Sequence, residues 1–248
     1  MKILVFGAGV LGCNLARNFF RAGKDVTLLA RGAWGESIPK NGLRIKDKFS
    51  PRMSVSRIPV TAELKAEDKY DVIFVVLRYT QLDAILDTLR TNPTKNIVFA
   101  GNDMRASALS ASLPEKNVMF AFASSAGHRE REYVASVDLK KLKGNTAYLS
   151  RLIDANIEGY RAIKNAGHEI LPKDNAEFEG AAYHKTCLRF FKLMSATSLG
   201  KICASDHAMN AVDEMSALNR DLKAFFDENG AKYSVWQELE QEVAKYLK

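Results

Sequence analysis

A chain of 248 residues that is 47% hydrophobic and 26% charged can bury a sizeable core, as one large domain or two smaller ones. No apolar stretch approaches the roughly 18 residues needed to cross a bilayer, so no membrane span is expected. The net charge of +7 comes from scattered Lys and Arg, the densest group being Lys140, Lys141 and Lys143. This reads as a solvated face with some attraction for an anionic ligand, and no nucleic-acid partner is expected.

The apolar run at residues 3–6 is short and leads straight into a glycine turn, which argues against a signal peptide. Cys13, Cys187 and Cys203 are odd in number and outside any CxxC, as expected of reduced thiols in a cytoplasmic protein. His128, His168, His184 and His207 show no ligand spacing, so no metal is expected.

The first thirty residues organise the rest. An apolar run (Lys2-Ile3-Leu4-Val5-Phe6) turns through Gly7-Ala8-Gly9-Val10-Leu11-Gly12 into a helical segment that Gly23 ends, and a second apolar run stops at Arg31. Strand, glycine turn, helix, strand is the context that gives G-x-G-x-x-G its meaning. Gly7 permits the tight turn, Gly9 lets a pyrophosphate approach the backbone, and Gly12 lets helix pack on strand. The helix start offers free N–H groups and a partial positive charge to phosphate. Gly7 to Gly12 therefore form the expected dinucleotide loop. NAD sites carry an acid at the end of the next strand to hold the ribose 2′-hydroxyl. Here that place reads Ala30-Arg31-Gly32, with no carboxylate before Glu36. A guanidinium pairs instead with a 2′-phosphate, so the expected cofactor is NADP.

After Arg31 a polar, turn-rich passage reaches Phe49, with a short strand at residues 43–45, and residues 53–60 read as one edge strand. Residues 71–77 are almost wholly apolar and β-branched, as in a strand buried on both faces. A helix is predicted at 81–89 from the stripe Leu82, Ile85, Leu86 and Leu89. Further strands are predicted at 96–100 and 118–123. Strands alternating with helices imply a parallel, doubly wound sheet, whose ligands lie beyond the carboxyl ends of the strands. Arg31, Arg78, Asn102 and Ser124-Ser125 all fall at those ends.

From Asn145 the pattern becomes helical. A helix is predicted at 149–166, a short strand and exit turn at 167–172, and a domain boundary near Pro172. An apolar helix is predicted at 178–199 and another at 206–229, with a stripe of Met209, Val212, Met215, Leu218, Leu222 and Phe225. Ser234 and Gln237 form a capping-box pattern before a last helix. His184 and Glu214 read as surface residues, and Cys13 as a small apolar group under the turn. The predicted fold class is α/β: a Rossmann-type doubly wound parallel sheet at 1–172, followed by a smaller all-helical C-terminal domain at 173–248. The helical stripes suit a homodimer.

The glycine loop, Arg31, the strand running into Leu77-Arg78-Tyr79-Thr80-Gln81, the strand ending in Asn102 and a helical second part carrying Lys185 occur in that order. Together they resemble the ketopantoate reductase family (2-dehydropantoate 2-reductases). The resemblance implies an NADPH-dependent reductase of a 2-keto acid, with Leu77 and Arg78 near the cofactor and Asn102 touching nicotinamide and substrate. It also implies that Lys185 is the general acid that protonates the carbonyl oxygen as hydride arrives. Arg78 stands where the family usually has Lys, and Asp103 where it has Gly after the Asn. Arg189 and Leu193 stand where it has Asn, four and eight residues past the catalytic Lys. Arg189 then reads as a new substrate-carboxylate anchor or as the mark of lost catalysis. The residues also stop before the segment in which the family carries the Ser and Glu that hold pantoate-type substrates. A small anionic carbonyl substrate other than ketopantoate is therefore expected. The alternative is a non-catalytic NADP(H)-binding sensor derived from the family.

Overall fold

A computed structural model describes residues 1–47, 52–122, 144–197, 200 and 211–244. The chain divides into two compact units, Met1–Arg129 and Glu130–Lys248. In the first unit β1 (Lys2–Phe6), α1 (Val10–Arg21) and β2 (Asp25–Leu29) follow the predicted strand, turn, helix and strand. The later strands of the main sheet are β5 (Val60–Thr61), β6 (Val72–Val75), β7 (Asn96–Ala100) and β8 (Asn117–Ala121). The six strands run parallel in the order β5-β2-β1-β6-β7-β8.

The alternation of side chains along a strand explains the continuous apolar runs. In β1, Leu4 and Phe6 enter a cluster with Ile73, Val75, Ile97, Phe99, Leu89 and Leu109. Ile3 and Val5 enter the opposite one, with Val26, Leu28, Ala16 and Cys13. Both faces are covered, so polar alternation has no place there.

Three local expectations change. The passage after Arg31 is not all turn: it contains α2 (Gly32–Asn41). Gly32 starts this helix at φ 60, and Gly35 packs so tightly that an added Cβ would lie 2.5 Å from the Ala30 carbonyl oxygen. Trp34 and Ile38, one turn apart, both enter the core, and Pro39 is accommodated in the last turn. Residues 53–60 do not form one strand. Met53–Ser56 (β4) pairs antiparallel with Leu43–Lys46 (β3) as a separate hairpin, while Val60 and Thr61 pair with β2. The helix expected at 81–89 begins as two 3-10 turns, Tyr79–Gln81 and Asp83–Ile85, and becomes α3 only at Leu86–Thr91. Its stripe still buries Leu82, Ile85 and Leu89. Helix α4 (Ala106–Ser112) lies between β7 and β8.

The second unit contains α5 (Thr146–Asn165), α6 (Ala181–Ser195), α7 (Val212–Glu228) and α8 (Ser234–Ala244) among its described residues. Helix α5 packs against both α6 and α8. Its Ile153 and Ile157 share a cluster with Ile170 and Phe178. This packing places α5 within the second unit. No strand forms at 167–172; Gly167 turns the chain at φ 78 into an irregular segment.

The apolar content of α6 overstates its burial. Phe190 and Leu193 are 54% and 65% exposed, while Tyr183, Cys187, Leu188 and Phe191 pack on the core. In α7 the expected stripe is only half-buried from Val212 to Phe225, and its Met209 lies outside the described residues. Its buried residues are Ala217, Phe226 and Glu214, the last expected at the surface. Helix α8 starts at Ser234, the first residue of the expected capping box. The buried Glu158 of α5 accepts the backbone N–H groups of Val235 (3.0 Å) and Trp236 (2.9 Å), and so caps α8 from another helix.

Candidate functional site

The glycine loop is set by close approaches. Gly7 has φ 120, and a Cβ there would stand 2.3 Å from the Val76 carbonyl oxygen, on the neighbouring strand's extension. A Cβ at Gly12 would stand 1.9 Å from the Gly7 carbonyl oxygen, whereas one at Gly9 would meet nothing within 4 Å. Two glycines thus close the turn onto the helix, and the middle one leaves its outer side open. Val10 and Leu11 begin α1, which has neither a side-chain cap nor an acid in its first turn. Its first N–H groups and its positive end remain available to an anion. Cys13 lies beneath, its Sγ donating to the Ala8 carbonyl oxygen at 3.3 Å. Arg17, 5% exposed, fixes the helix in place. Its Nη1 donates to both Asp47 carboxylate oxygens at 2.8 Å, and its Nη2 to Asn14 Oδ1 at 2.7 Å.

Beyond β2, the exposed Arg31 is the N-cap residue of α2 and donates from Nε to the Ala62 carbonyl oxygen at 3.3 Å. Helix α2 also has no acid in its first turn. Beyond β6 and β7, Leu77, Leu82, Phe99, Gly101, Asn102 and Asp103 line one small pocket. The Arg78 side chain is exposed, and its backbone N–H donates to Gln81 Oε1 at 3.2 Å. The loop residues Gly7 to Gly12, Arg31, Leu77, Arg78 and Asn102 therefore all stand at the carboxyl edge of one parallel sheet, at the ends of β1, β2, β6 and β7. Ser124 and Ser125 lie outside the described residues.

The sequence reading missed a cation here. Arg105 Nη1 donates to both oxygens of the Asp83 carboxylate (3.0 Å each), and its Nη2 donates to the Tyr79 carbonyl oxygen (3.1 Å). Its guanidinium lies 4.3 Å from the Tyr79 ring centroid, and its backbone N–H donates to Asp103 Oδ1. Burial disfavours its charge, but Asp83 outweighs burial and holds its pKa above the ordinary arginine value. The available signal was an arginine three residues past Asn102 together with an acid two residues past Gln81.

In the second unit Lys185 and Arg189 share an exposed face of α6 one turn apart, with Leu193 on the next turn. His184, beside Lys185, places Nε2 3.5 Å from Asp154 Oδ1. Among the described residues, no group of His, Cys, Asp and Glu is arranged to hold a metal ion, and no helix is long and apolar enough to cross a membrane.

A six-stranded parallel sheet in this order, with a glycine turn after its first strand, is the doubly wound dinucleotide-binding architecture. Residues 3–144, more than half of the chain, match the family described as Ketopantoate reductase PanE/ApbA, and the chain belongs to that family. It is 38% identical over 92 residues to the 2-dehydropantoate 2-reductase of Mesorhizobium japonicum, a match covering 36% of this chain and 27% of that protein. Against the 2-dehydropantoate 2-reductase of Lactococcus lactis it is 25% identical over 150 residues, or 50% of this chain and 47% of that protein. The chain thus spans less than half the length of each of these curated relatives. In fold it is similar to a dimeric ketopantoate reductase from Staphylococcus aureus, with a TM-score of 0.58 at 14% identity over 100% of both chains.

Proposed function

We propose that this protein is a cytoplasmic NADPH-dependent reductase of a small 2-keto acid or related anionic carbonyl compound. One observation carries the reading. An open, uncapped helix start at Gly9 and a guanidinium at Arg31 occupy adjacent strand ends of the sheet. That is the spacing of a pyrophosphate and a ribose 2′-phosphate in this architecture. When bound, NADPH supplies the hydride that reduces the carbonyl carbon. Arg31 pairs with the 2′-phosphate, and Leu77 and Arg78 flank the cofactor. Asn102 orients nicotinamide and substrate, and Lys185 gives its proton to the carbonyl oxygen while offsetting the charge that develops there. Arg189 or Arg78 contacts the substrate carboxylate. Arg189, Leu193 and Asp103 replace the residues that the family places around ketopantoate, which favours a different 2-keto acid.

The test begins with NADPH and NADH fluorescence titrations, followed by a panel of 2-keto acids while nicotinamide absorbance is recorded. We expect tighter NADPH binding, and oxidation with at least one acid. Lys185→Ala is expected to lose turnover by about a hundredfold or more while NADPH affinity stays unchanged. Unchanged turnover would remove Lys185 as the acid. The same Arg189 and Leu193 replacements favour a second reading, a non-catalytic NADP(H)-binding sensor. Tight NADPH binding without oxidation across the panel would select it.

A further inference from the structure

The proposed cofactor path crosses the strand ends in sheet order. Arg31 lies at the end of β2 and the glycine loop at the end of β1, so a dinucleotide extended from one across the other continues over β6 and β7. Its nicotinamide half then lies over the pocket lined by Leu77, Leu82, Asn102 and Asp103. That pocket is built from two separate loops, and Arg105 joins them.

We propose that Arg105 is a positioning residue for the nicotinamide half of the site, setting the relative placement of the Arg78 loop and the Asn102 loop. This rests on the reading of the glycine loop and Arg31 given above. The geometry is specific. One arm of the guanidinium is held by both oxygens of Asp83, and the other reaches the carbonyl of Tyr79, the residue directly after Arg78. The Arg105 backbone N–H binds Asp103, the residue directly after Asn102. The guanidinium carbon lies 4.3 Å from the ring centroid of Tyr79, which is buried at 3% exposure. A planar fork can satisfy a carboxylate, a carbonyl and an aromatic face together; a lysine ammonium cannot. Arg105 acts on a ligand only through its neighbours. Its loss leaves the glycine loop and Arg31 untouched.

The experiment compares two ligands that share the adenosine 2′-phosphate end and differ in the nicotinamide end: NADPH and 2′,5′-ADP. Both are titrated into wild type, Arg105→Ala, Arg105→Lys and Asp83→Ala, with thermal unfolding measured alongside. Wild type that binds neither ligand overturns the underlying cofactor reading, and this inference with it. Where wild type binds both, each variant is expected to lose about tenfold or more of its NADPH affinity, and its 2′,5′-ADP affinity is expected to stay within about twofold. The Arg105→Ala/Asp83→Ala double variant should be no worse than Arg105→Ala alone. Equal losses for both ligands alongside a lower Tm would reduce Arg105 to general stability and overturn the proposal. So would unchanged NADPH affinity, or full function in Arg105→Lys. Should Arg105→Ala fail to fold, Arg105→Lys and Asp83→Ala decide the question alone.

Discussion

A methyl group at Gly12 and a methyl group at Gly9 have opposite consequences. The first would collide with the Gly7 carbonyl oxygen at 1.9 Å and push α1 off β1, while the second enters open space. Gly12→Ala is therefore expected to lower stability by about 1–3 kcal/mol, the usual range for overpacking, in denaturant unfolding. Gly9→Ala is expected to unfold like wild type yet lose NADPH binding in fluorescence titration, because its Cβ fills the space left for a phosphate. A cold Gly12→Ala difference (no change in unfolding midpoint) would show that the turn relaxes freely. The glycine spacing was legible in sequence because each glycine's task follows from a fixed distance along the chain. Arg105 was not, because its partners Asp83 and Tyr79 lie 22 and 26 residues upstream in another strand-end loop. Glu214 was misjudged for a related reason: charge predicts exposure only where no element packs over it, and that packing is not written locally.

Among the elements, α8 has the least local origin. Removing its cap with Glu158→Ala would leave the Val235 and Trp236 N–H groups without their carboxylate, at a cost of about 1–3 kcal/mol by chemical denaturation. An unchanged midpoint would mean that solvent caps the helix equally well. The contact between α7 and α8 carries a pH signature. The hydrogen bond from Lys223, opposed by burial and helped by Asn219, holds the Glu240 carboxyl below its ordinary pKa. A depressed carboxylate stabilises the fold above its unfolded pKa and loses that contribution as pH falls through the folded value. Thermal unfolding should therefore lose Tm on acidification below about pH 4.5, the ordinary glutamate range, and less so in Glu240→Gln. Equal acid sensitivity in both would assign the effect to other groups. The buried strands were legible as short continuous apolar runs, and α5 as the long helical stretch that follows the change of pattern at Asn145. Helix α2 was not: Gly32, Gly35 and Pro39 read as breakers, whereas in the fold Gly32 supplies a positive φ at the helix start, Gly35 allows close packing on Ala30 and the proline occupies the last turn.

For the whole molecule, the order of strand–helix units followed by helices was readable because βαβ alternation permits few topologies. A helix declares its apolar stripe but not the partner that covers it. Helix α5 joined the second unit through contacts with α6 and α8, both later in the chain. The exposed Phe190 and Leu193 of α6, and the half-buried stripe of α7, leave apolar surface in the helical unit. We expect light scattering at micromolar concentration to give twice the chain mass, with the helical unit forming the dimer contact. A single chain mass, unchanged by NADPH, would remove the homodimer.

The dependence of the last helix on Glu158 also has an immunochemical meaning. At 11 residues, Ser234–Ala244 is shorter than the roughly 12–15 residues at which isolated helices become even marginal in water. A synthetic peptide of this sequence would lack both the partner helix and its carboxylate, and would sample open conformations. Antibodies raised against that peptide should therefore label the chain on a denaturing blot and pass over the folded protein.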